Sequence, residues 1–359
     1  MNKKPSGSLY EHKTSLEQIL GSSLQLHKAR LKFMSMLLLV LIQEKTVNLV
    51  NLSLGFQGLT KPESSYRRLK RFFTELRLDE QVVGKIILNL LPAGPYKVCV
   101  DRTNWKFGKN NINILVIAIA HRGIAFPIVW CLLDKRGNSS TDERIDLLKR
   151  FLELVKPHEI QYVLADREFI GDTWFNYLDT RKIAFAIRVR NNSLLDNWCS
   201  VYALFAHLPI GELRLLHRRH SIHGCHLRLA GMKLSQKDYL IIVTNRHPAS
   251  AFTAYKKRWE IEMLFAALKK TGFNIEATHI ADPIKLNTLV TVLALAFAWA
   301  HHVGEWLHDS KTKVLKLTSH QSRQKSFFRH GLDHLRHLLK NIHFKSHDLL
   351  FCIRLLSPT

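Results

Sequence analysis

The sequence predicts an α/β fold. A mixed five-stranded sheet with helices on its faces follows a helical N-terminal domain, contains a β-rich insertion and precedes a basic helical tail. Between residues 96 and 190, apolar runs of strand length alternate with amphipathic helical segments. Residues 191–254 carry short alternating runs that are typical of hairpins. The spans 1–95 and 309–359 show helical periodicity, and the basic tail is expected to be exposed.

The N-terminal domain, residues 1–95, is predicted to contain three short helices. The last begins near Pro62, has Ser64 as its predicted N-cap and is rich in cations. Short helices of this kind are typical of a helix-turn-helix DNA-binding domain, and a helical bundle with a solvated basic face fits the same pattern. The candidate DNA-binding residues of this helix, called here the N-terminal basic face, are Arg67, Arg68, Lys70 and Arg71.

The sheet is predicted from the order of the central segments. YKVCVD, INILVIAIAHRG and IAFPIVWCLLDK predict three adjacent strands. A helix with a capping box formed by Ser140 and Glu143 follows, then a strand in IQYVLADREF, a short helix and a fifth strand in KIAFAIRVR. This order predicts a mixed sheet in a core that comprises residues 96–190 and 255–308.

The composition indicates a globular and strongly basic protein. Its 53 lysines and arginines exceed its 29 acidic residues by 24, with a pI near 10.0, which predicts a polyanionic partner. The five cysteines form no C-x-x-C pair and the N-terminus has no apolar run, so we expect a cytoplasmic protein without a signal peptide. The apolar runs at residues 33–42 and 289–300 are shorter than the ~18–20 residues that cross a bilayer, which predicts core helices and no membrane partner.

Two predicted strands end in an aspartate, Asp101 in VCVDRTNW and Asp166 in VLADREF. Acids in this position lie at the carboxyl edge of an open α/β sheet, where active sites form. A single acid there is usually a helix cap or an ion-pair partner. Two acids together with a third carboxylate predict a divalent cation, because carboxylates brought together raise one another's pKa values. An incomplete set of hard oxygen ligands suits Mg²⁺ or Mn²⁺.

The segment AYKKRWEIEMLFAALKK, residues 254–270, predicts a helix with polar side chains on one narrow face. Spaced by 3, 4 and 7 residues, these side chains are Tyr255, Arg258, Glu262 and Lys269. Glu262 is the candidate third metal ligand. Arg258 and Lys269 are candidate phosphate ligands, and Tyr255 is suited to a phosphate or a base.

Two other interpretations of this segment remain open. An ordinary i,i+4 ion pair between Arg258 and Glu262 on a solvated face explains part of the pattern. Glu260, on nearly the opposite side of the predicted helix, is the alternative third carboxylate.

The signature residues resemble the Y-x2-R-x3-E-x6-K motif of insertion-sequence transposases of the IS-four type, which are DDE enzymes with an RNase H-like core. The aspartates in VDRTNW and ADREF and the β-rich insertion extend the resemblance over residues 95–300. It implies an RNase H-like fold in which Asp101, Asp166 and Glu262 are catalytic and bind two Mg²⁺ or Mn²⁺ ions. It also implies that the other signature residues, together with Arg167, hold DNA near the cut.

The resemblance implies cut-and-paste transposition, in which metal-dependent phosphodiester hydrolysis frees an element end and strand transfer joins it to target DNA. The expected partners are double-stranded DNA, as terminal inverted repeats and target, and a second copy of the chain. The expected location is the bacterial cytoplasm, at the nucleoid. Whether a DNA hairpin forms as an intermediate is left open by the compact insertion.

Rival functions are a non-catalytic or decayed DNA-binding protein and an RNase H-like nuclease that cuts without joining. The three carboxylates argue against the first, and the phosphate-binding signature residues argue against the second. A histidine-rich stretch of the insertion suggests a zinc site, although an Arg/His hairpin facing DNA explains it equally well. Its members are His217, His220, His223, Cys225 and His226.

Overall fold

The computed structural model describes residues 9–56, 61–196, 198–316, 319 and 323–357. The first eight residues, on which the expected absence of a signal peptide partly rests, lie outside the described residues. The chain divides into two compact units. The helical unit comprises Met1–Leu91, Trp105–Ile112 and Leu264–Thr359, and the sheet unit comprises Pro92–Asn104 and Asn113–Met263. The functional domains drawn from the sequence stay predictions.

The strands form a mixed sheet, as predicted for an α/β fold. In the described part of the chain they are β1 (Tyr96–Phe107), β2 (Asn110–His121), β3 (Ile124–Leu132), β4 (Ile160–Ala165), β5 (Phe185–Arg188), β6 (Leu194–Leu195), β7 (Cys199–Ser200), β8 (Leu213–Ile222), β9 (Cys225–Lys233) and β10 (Tyr239–Thr244). The main sheet has the order β3-β2-β1-β4-β5-β10-β9-β8, and β6 pairs with β7. β4 runs parallel to β1 and β5, whereas β10 runs antiparallel to β5 and β9.

The predicted number of five strands is wrong for the sheet as a whole. The five predicted strands are β1 to β5, but β10, β9 and β8 of the insertion continue the sheet to eight strands. Val243 of β10 pairs with Ile187 of β5, and both side chains are buried. Without β10, the outer edge of β5 would present unpaired backbone groups, so the insertion completes the sheet.

The helices of the described part are α1 (Leu9–Gly21), α2 (Lys28–Glu44), α3 (Leu49–Leu54), α4 (Pro62–Glu75), α5 (Glu80–Leu88), α6 (Thr141–Leu154), α7 (Asp172–Thr180), α8 (Pro248–Tyr255), α9 (Glu260–Ala266), α10 (Pro283–Asp309), α11 (Phe327–Lys340) and α12 (Ile342–Arg354). The predicted capping box of α6 is confirmed, because Ser140 Oγ accepts from the Glu143 N–H and Glu143 Oε2 accepts from the Ser140 N–H. The predicted N-cap Ser64 is wrong, since α4 begins at Pro62 with Lys61 in the cap position. Proline lacks an N–H and has a helical φ, so it fits the first helical position.

The predicted helix over residues 254–270 is wrong as a single element. α8 ends at Tyr255, a turn occupies residues 256–259, α9 follows and a short π-helix covers Ala267–Thr271. Within the turn, the Arg258 N–H donates to the Tyr255 carbonyl at 2.9 Å, a tighter i→i−3 bond. The Arg258 guanidinium still lies 5.9 Å from the Tyr255 ring centroid and pairs with Glu262.

In the helical unit, α10 is long and apolar enough to cross a membrane by length and composition, but 78% of its apolar window is buried inside the protein. This placement agrees with the predicted core helix. The expectation of an exposed tail is wrong for α11, whose apolar face packs on α10. Gly304 and Gly331 allow this contact, because a Cβ on Gly331 would lie 1.8 Å from the Ala300 carbonyl oxygen.

Candidate active site

The parallel strands β1 and β4 deliver two aspartates to one edge of the sheet. The last backbone pair between them joins Val100 and Ala165. Asp101 directly follows Val100, and Asp166 directly follows Ala165. The predicted end of the first strand at Asp101 is wrong, because β1 continues to Phe107. Its pairing with β4 nevertheless stops before Asp101, so the backbone ladder between these strands ends where the acids begin.

Negative charge is concentrated at this edge. Asp101 Oδ1 accepts the backbone N–H of Arg102 at 2.7 Å, and Asp166 Oδ1 accepts the N–H of the following residue at 2.5 Å. Burial raises the pKa of Asp101 to about 6, and the carboxylates of Asp166 and Glu168 raise it in the same direction. The folded protein therefore holds Asp101 ionised only against an electrostatic cost, which a bound cation would offset.

Arg258 links the first and third predicted carboxylates. Its Nη1 lies 3.6 Å from Asp101 Oδ2, and its Nη2 lies 2.5 Å from Glu262 Oε1. The Asp101 and Arg258 side chains are 19% and 16% exposed, whereas that of Glu262 is 57% exposed. The predicted i,i+4 ion pair is thus present, but its arginine also contacts the acidic edge of the sheet, which an ordinary surface pair would not do.

Tyr255 and Glu260 are more deeply buried than Asp101, Arg258 and Glu262. Tyr255 is 6% exposed and the Arg258 guanidinium lies 5.9 Å from its ring centroid. Burial raises the pKa of Tyr255, so the phenol keeps its proton and can donate a hydrogen bond. Glu260 is 1% exposed and is paired with Lys257 Nζ at 2.7 Å. Glu262 is therefore the more accessible of the two glutamates to a ligand from solvent.

The chemistry of the donor set fits a hard divalent cation. Carboxylates of Asp101 and Asp166 stand at the same sheet edge, and burial raises the pKa of Asp101. Among the residues that the structure describes, no three His, Cys, Asp or Glu side chains stand close enough to share one ion. Glu262 is instead paired with Arg258, so a shared ion requires that pair to open.

The comparisons with known proteins show the family to which the chain belongs. Residues 92–299, more than half of the chain, match the family model for the transposase DDE domain. The chain belongs to the DDE transposase family. A search of curated proteins found no match. Family membership supports a transposase that acts on DNA and uses divalent metal ions, in a mixed α/β fold consistent with an RNase H-like core.

The side chains of the remaining predicted DNA-binding residues of the transposase make no contact with the three carboxylates among the contacts that the structure describes. Lys269 belongs to the helical unit, where it pairs with Glu276 at 3.0 Å and lies 5.4 Å from the Trp105 ring centroid. Arg167 is exposed beside Asp166. The N-terminal basic face is exposed on α4. Their contacts with DNA stay predictions.

The sequence did not single out Arg102, which directly follows Asp101, or Glu168, which stands two residues after Asp166. Arg102 Nε lies 3.0 Å from Glu168 Oε1, and both side chains are largely buried. The available signal was a charged residue one position after Asp101 in VDRTNW and another two positions after Asp166 in ADREF. That signal says nothing about pairing until the register of β1 and β4 is known.

The histidine-rich stretch makes contacts that need no zinc. His220 Nδ1 lies 3.0 Å from Asp196 Oδ2, and Cys225 Sγ lies 3.3 Å from Asn176 Oδ1. The ring of His217 packs against another imidazole, that of His247. These contacts fit the interpretation of this stretch as part of a basic hairpin in β8 and β9.

Proposed function

We propose that the protein is an insertion-sequence transposase of the IS-four type, with Asp101, Asp166 and Glu262 as its catalytic carboxylates. The observation that carries the proposal is the position of Arg258, which contacts both Asp101 and Glu262. Arg258, a residue of the predicted signature, thereby links two of the three predicted catalytic carboxylates, Asp101 and Glu262. Membership of the DDE transposase family supports the same class of reaction.

The reaction begins when water attacks a phosphodiester at the element end, the P–O3′ bond breaks and a free 3′-hydroxyl leaves. In the joining step, that 3′-hydroxyl attacks a target phosphodiester and a target 3′-hydroxyl leaves. Two Mg²⁺ or Mn²⁺ ions, when bound by the three carboxylates, supply Lewis-acid stabilisation of the attacking and leaving oxygens. Arg258 and Lys269 bind phosphate oxygens, and Tyr255 donates a hydrogen bond to the same strand.

Arg258 has two possible sets of partners in this scheme. Without DNA it neutralises Asp101 and Glu262; with DNA it binds a phosphate and releases both carboxylates for metal. The charge of the incoming phosphate replaces that of the carboxylates, so the guanidinium stays paired in both states. This exchange would couple metal loading to the presence of substrate.

The proposed partners are double-stranded DNA and a second copy of the chain, in the bacterial cytoplasm. The N-terminal basic face would bind the terminal inverted repeat, since its four cations are exposed on one helix. A formal net charge of +24 supports a polyanionic partner. Pairing of two ends in one dimer would let each subunit cut the end bound by its partner.

The proposal is tested by Glu262→Gln in a nicking assay with Mg²⁺ and DNA that contains an element end. The variant should bind DNA as wild type does and lose cleavage by several orders of magnitude, because it loses a metal ligand and keeps the basic surface. Glu260→Gln is the comparison for the buried glutamate. Asp146→Asn is the matched control, since it removes an exposed carboxylate from α6. Wild-type cleavage by Glu262→Gln together with lost cleavage by Glu260→Gln would move the third ligand to Glu260.

Two further readouts separate the rival functions. A non-catalytic DNA-binding protein shows no Mg²⁺-dependent nicking of DNA at any protein concentration. A nuclease nicks DNA but does not join the freed 3′ end to a second DNA molecule. Joined products that disappear in Asp101→Asn and Asp166→Asn would support transposition over both.

A further inference from the structure

Arg102 and Glu168 form a two-pronged ion pair beside the two aspartates. Arg102 Nε donates to Glu168 Oε1 at 3.0 Å, and Arg102 Nη2 donates to Glu168 Oε2 at 3.1 Å. The side chains are only 14% and 16% exposed. A bidentate pair with so little solvent contact fixes both side chains in direction as well as in distance.

The other polar groups of the pair are also occupied. Arg102 Nη1 donates to Asn113 Oδ1 at 3.1 Å, and Asn113 Nδ2 donates to the carbonyls of Lys135 and Gly137. Glu168 Oε1 accepts the backbone N–H of Ser139 at 3.1 Å. The pair therefore joins β1 and the segment after β4 to β2 and to the loop before α6.

The position of this pair matters because the backbone ladder stops just before it. β1 and β4 pair up to Val100 and Ala165, and no backbone pair between these strands follows. Arg102 comes directly after Asp101, and its N–H binds the Asp101 carboxylate at 2.7 Å. The ion pair thus continues the connection between the strands by side chains, across the place where two like charges would push them apart.

We propose that Arg102 and Glu168 are positioning residues that hold Asp101 and Asp166 at the separation a shared divalent cation requires. The inference rests on the proposed function of these aspartates. The Arg102 guanidinium is already engaged by Glu168 and Asn113, so it acts through the carboxylates and does not bind DNA. Groups that orient metal ligands typically change metal affinity by about 10- to 100-fold when removed.

The test is Mn²⁺ binding by titration calorimetry, without DNA, to full-length wild type, Arg102→Gln and Glu168→Gln. Each variant should bind Mn²⁺ about 10- to 100-fold more weakly. The double variant should lose little more than either single one, because both changes break the same pair. Arg102→Lys should recover only part of the affinity, because an ammonium cannot make the two-pronged contact.

Arg150→Gln is the matched control. Arg150 is a partly buried arginine of α6 whose Nη2 donates to the Trp130 carbonyl at 2.7 Å. It should lower thermal stability while leaving Mn²⁺ affinity unchanged. Cleavage by Arg102→Gln should recover at high Mn²⁺, with its affinity for DNA unaltered.

Three results would overturn the inference. The first is a folded Arg102→Gln that binds Mn²⁺ as wild type does, since the pair would then be structural only. The second is an equal loss of Mn²⁺ affinity in Arg150→Gln. The third is Mn²⁺ binding to wild type that Asp101→Asn does not weaken. Failure of the proposed function would look different, because wild type would bind Mn²⁺ through Asp101 and still cut no DNA.

Discussion

Replacing Asp101 by asparagine should make the metal-free protein more stable at neutral pH while abolishing cleavage. Burial raises the pKa of Asp101 from its ordinary 3.8 to about 6 in the folded protein. The folded state therefore holds this proton more tightly than the unfolded state, and stability falls as pH rises through that window. Asparagine carries no charge and keeps an oxygen that can accept the Arg102 N–H.

The size of the effect follows from the two pKa values. At about 1.36 kcal/mol per pH unit, ionised Asp101 costs the wild type about 3 kcal/mol at pH 8. Roughly half of that cost is already present at pH 5. The stability advantage of Asp101→Asn over wild type should therefore grow by about 1–2 kcal/mol between pH 5 and pH 8.

The assay is urea unfolding followed by circular dichroism at both pH values, with EDTA to remove divalent ions. Comparing the variant with wild type cancels every other titrating group, and Asp146→Asn serves as the exposed control. An advantage that stays constant or shrinks as the pH rises would refute the reasoning, because Asp101 would then carry no electrostatic cost. An advantage of the same size in Asp146→Asn would refute it as well.

Three further predictions concern other parts of the molecule. Arg258→Gln should bind Mn²⁺ about fivefold or more tightly without DNA, because the ion no longer competes with the guanidinium for Asp101 and Glu262, yet it should cut DNA more slowly. Weaker Mn²⁺ binding in calorimetry would contradict this. Gly331→Ala should cost about 1–3 kcal/mol, because its Cβ would overlap the Ala300 carbonyl, and an unchanged melting temperature would count against it. Each glutamine placed on the N-terminal basic face should reduce the salt dependence of DNA affinity by about 0.9 in log–log slope, and an unchanged slope in fluorescence anisotropy would exclude that face from the interface.

The sequence was most informative where one pattern had one physical solution. Apolar runs followed by turn residues predicted β1 to β5, and Ser140 with Glu143 predicted the start of α6. Both patterns are local, because an apolar run and a reciprocal cap each involve only a few neighbouring residues. The mixed α/β class followed from the order of those elements.

The features that the sequence did not predict depend on contacts between residues that are far apart in the chain. The pairing of Val243 with Ile187 makes the insertion part of the main sheet, and nothing near either residue encodes it. The turn at residues 256–259 breaks a helix whose composition alone favours continuity. Arg102 and Glu168 meet only because the register of β1 and β4 brings them together. The sequence alone therefore gave no reason to pair these two charged residues.

The most direct test of the central claim is the position of Mn²⁺ in a crystal of the protein with an element-end DNA, read from anomalous scattering. We predict Mn²⁺ peaks bound by Asp101, Asp166 and Glu262 beside a DNA phosphate, with Arg258 moved from the carboxylates onto that phosphate. Peaks bound by other residues, or Mn²⁺ at the two aspartates with Glu262 still paired to Arg258, would contradict it.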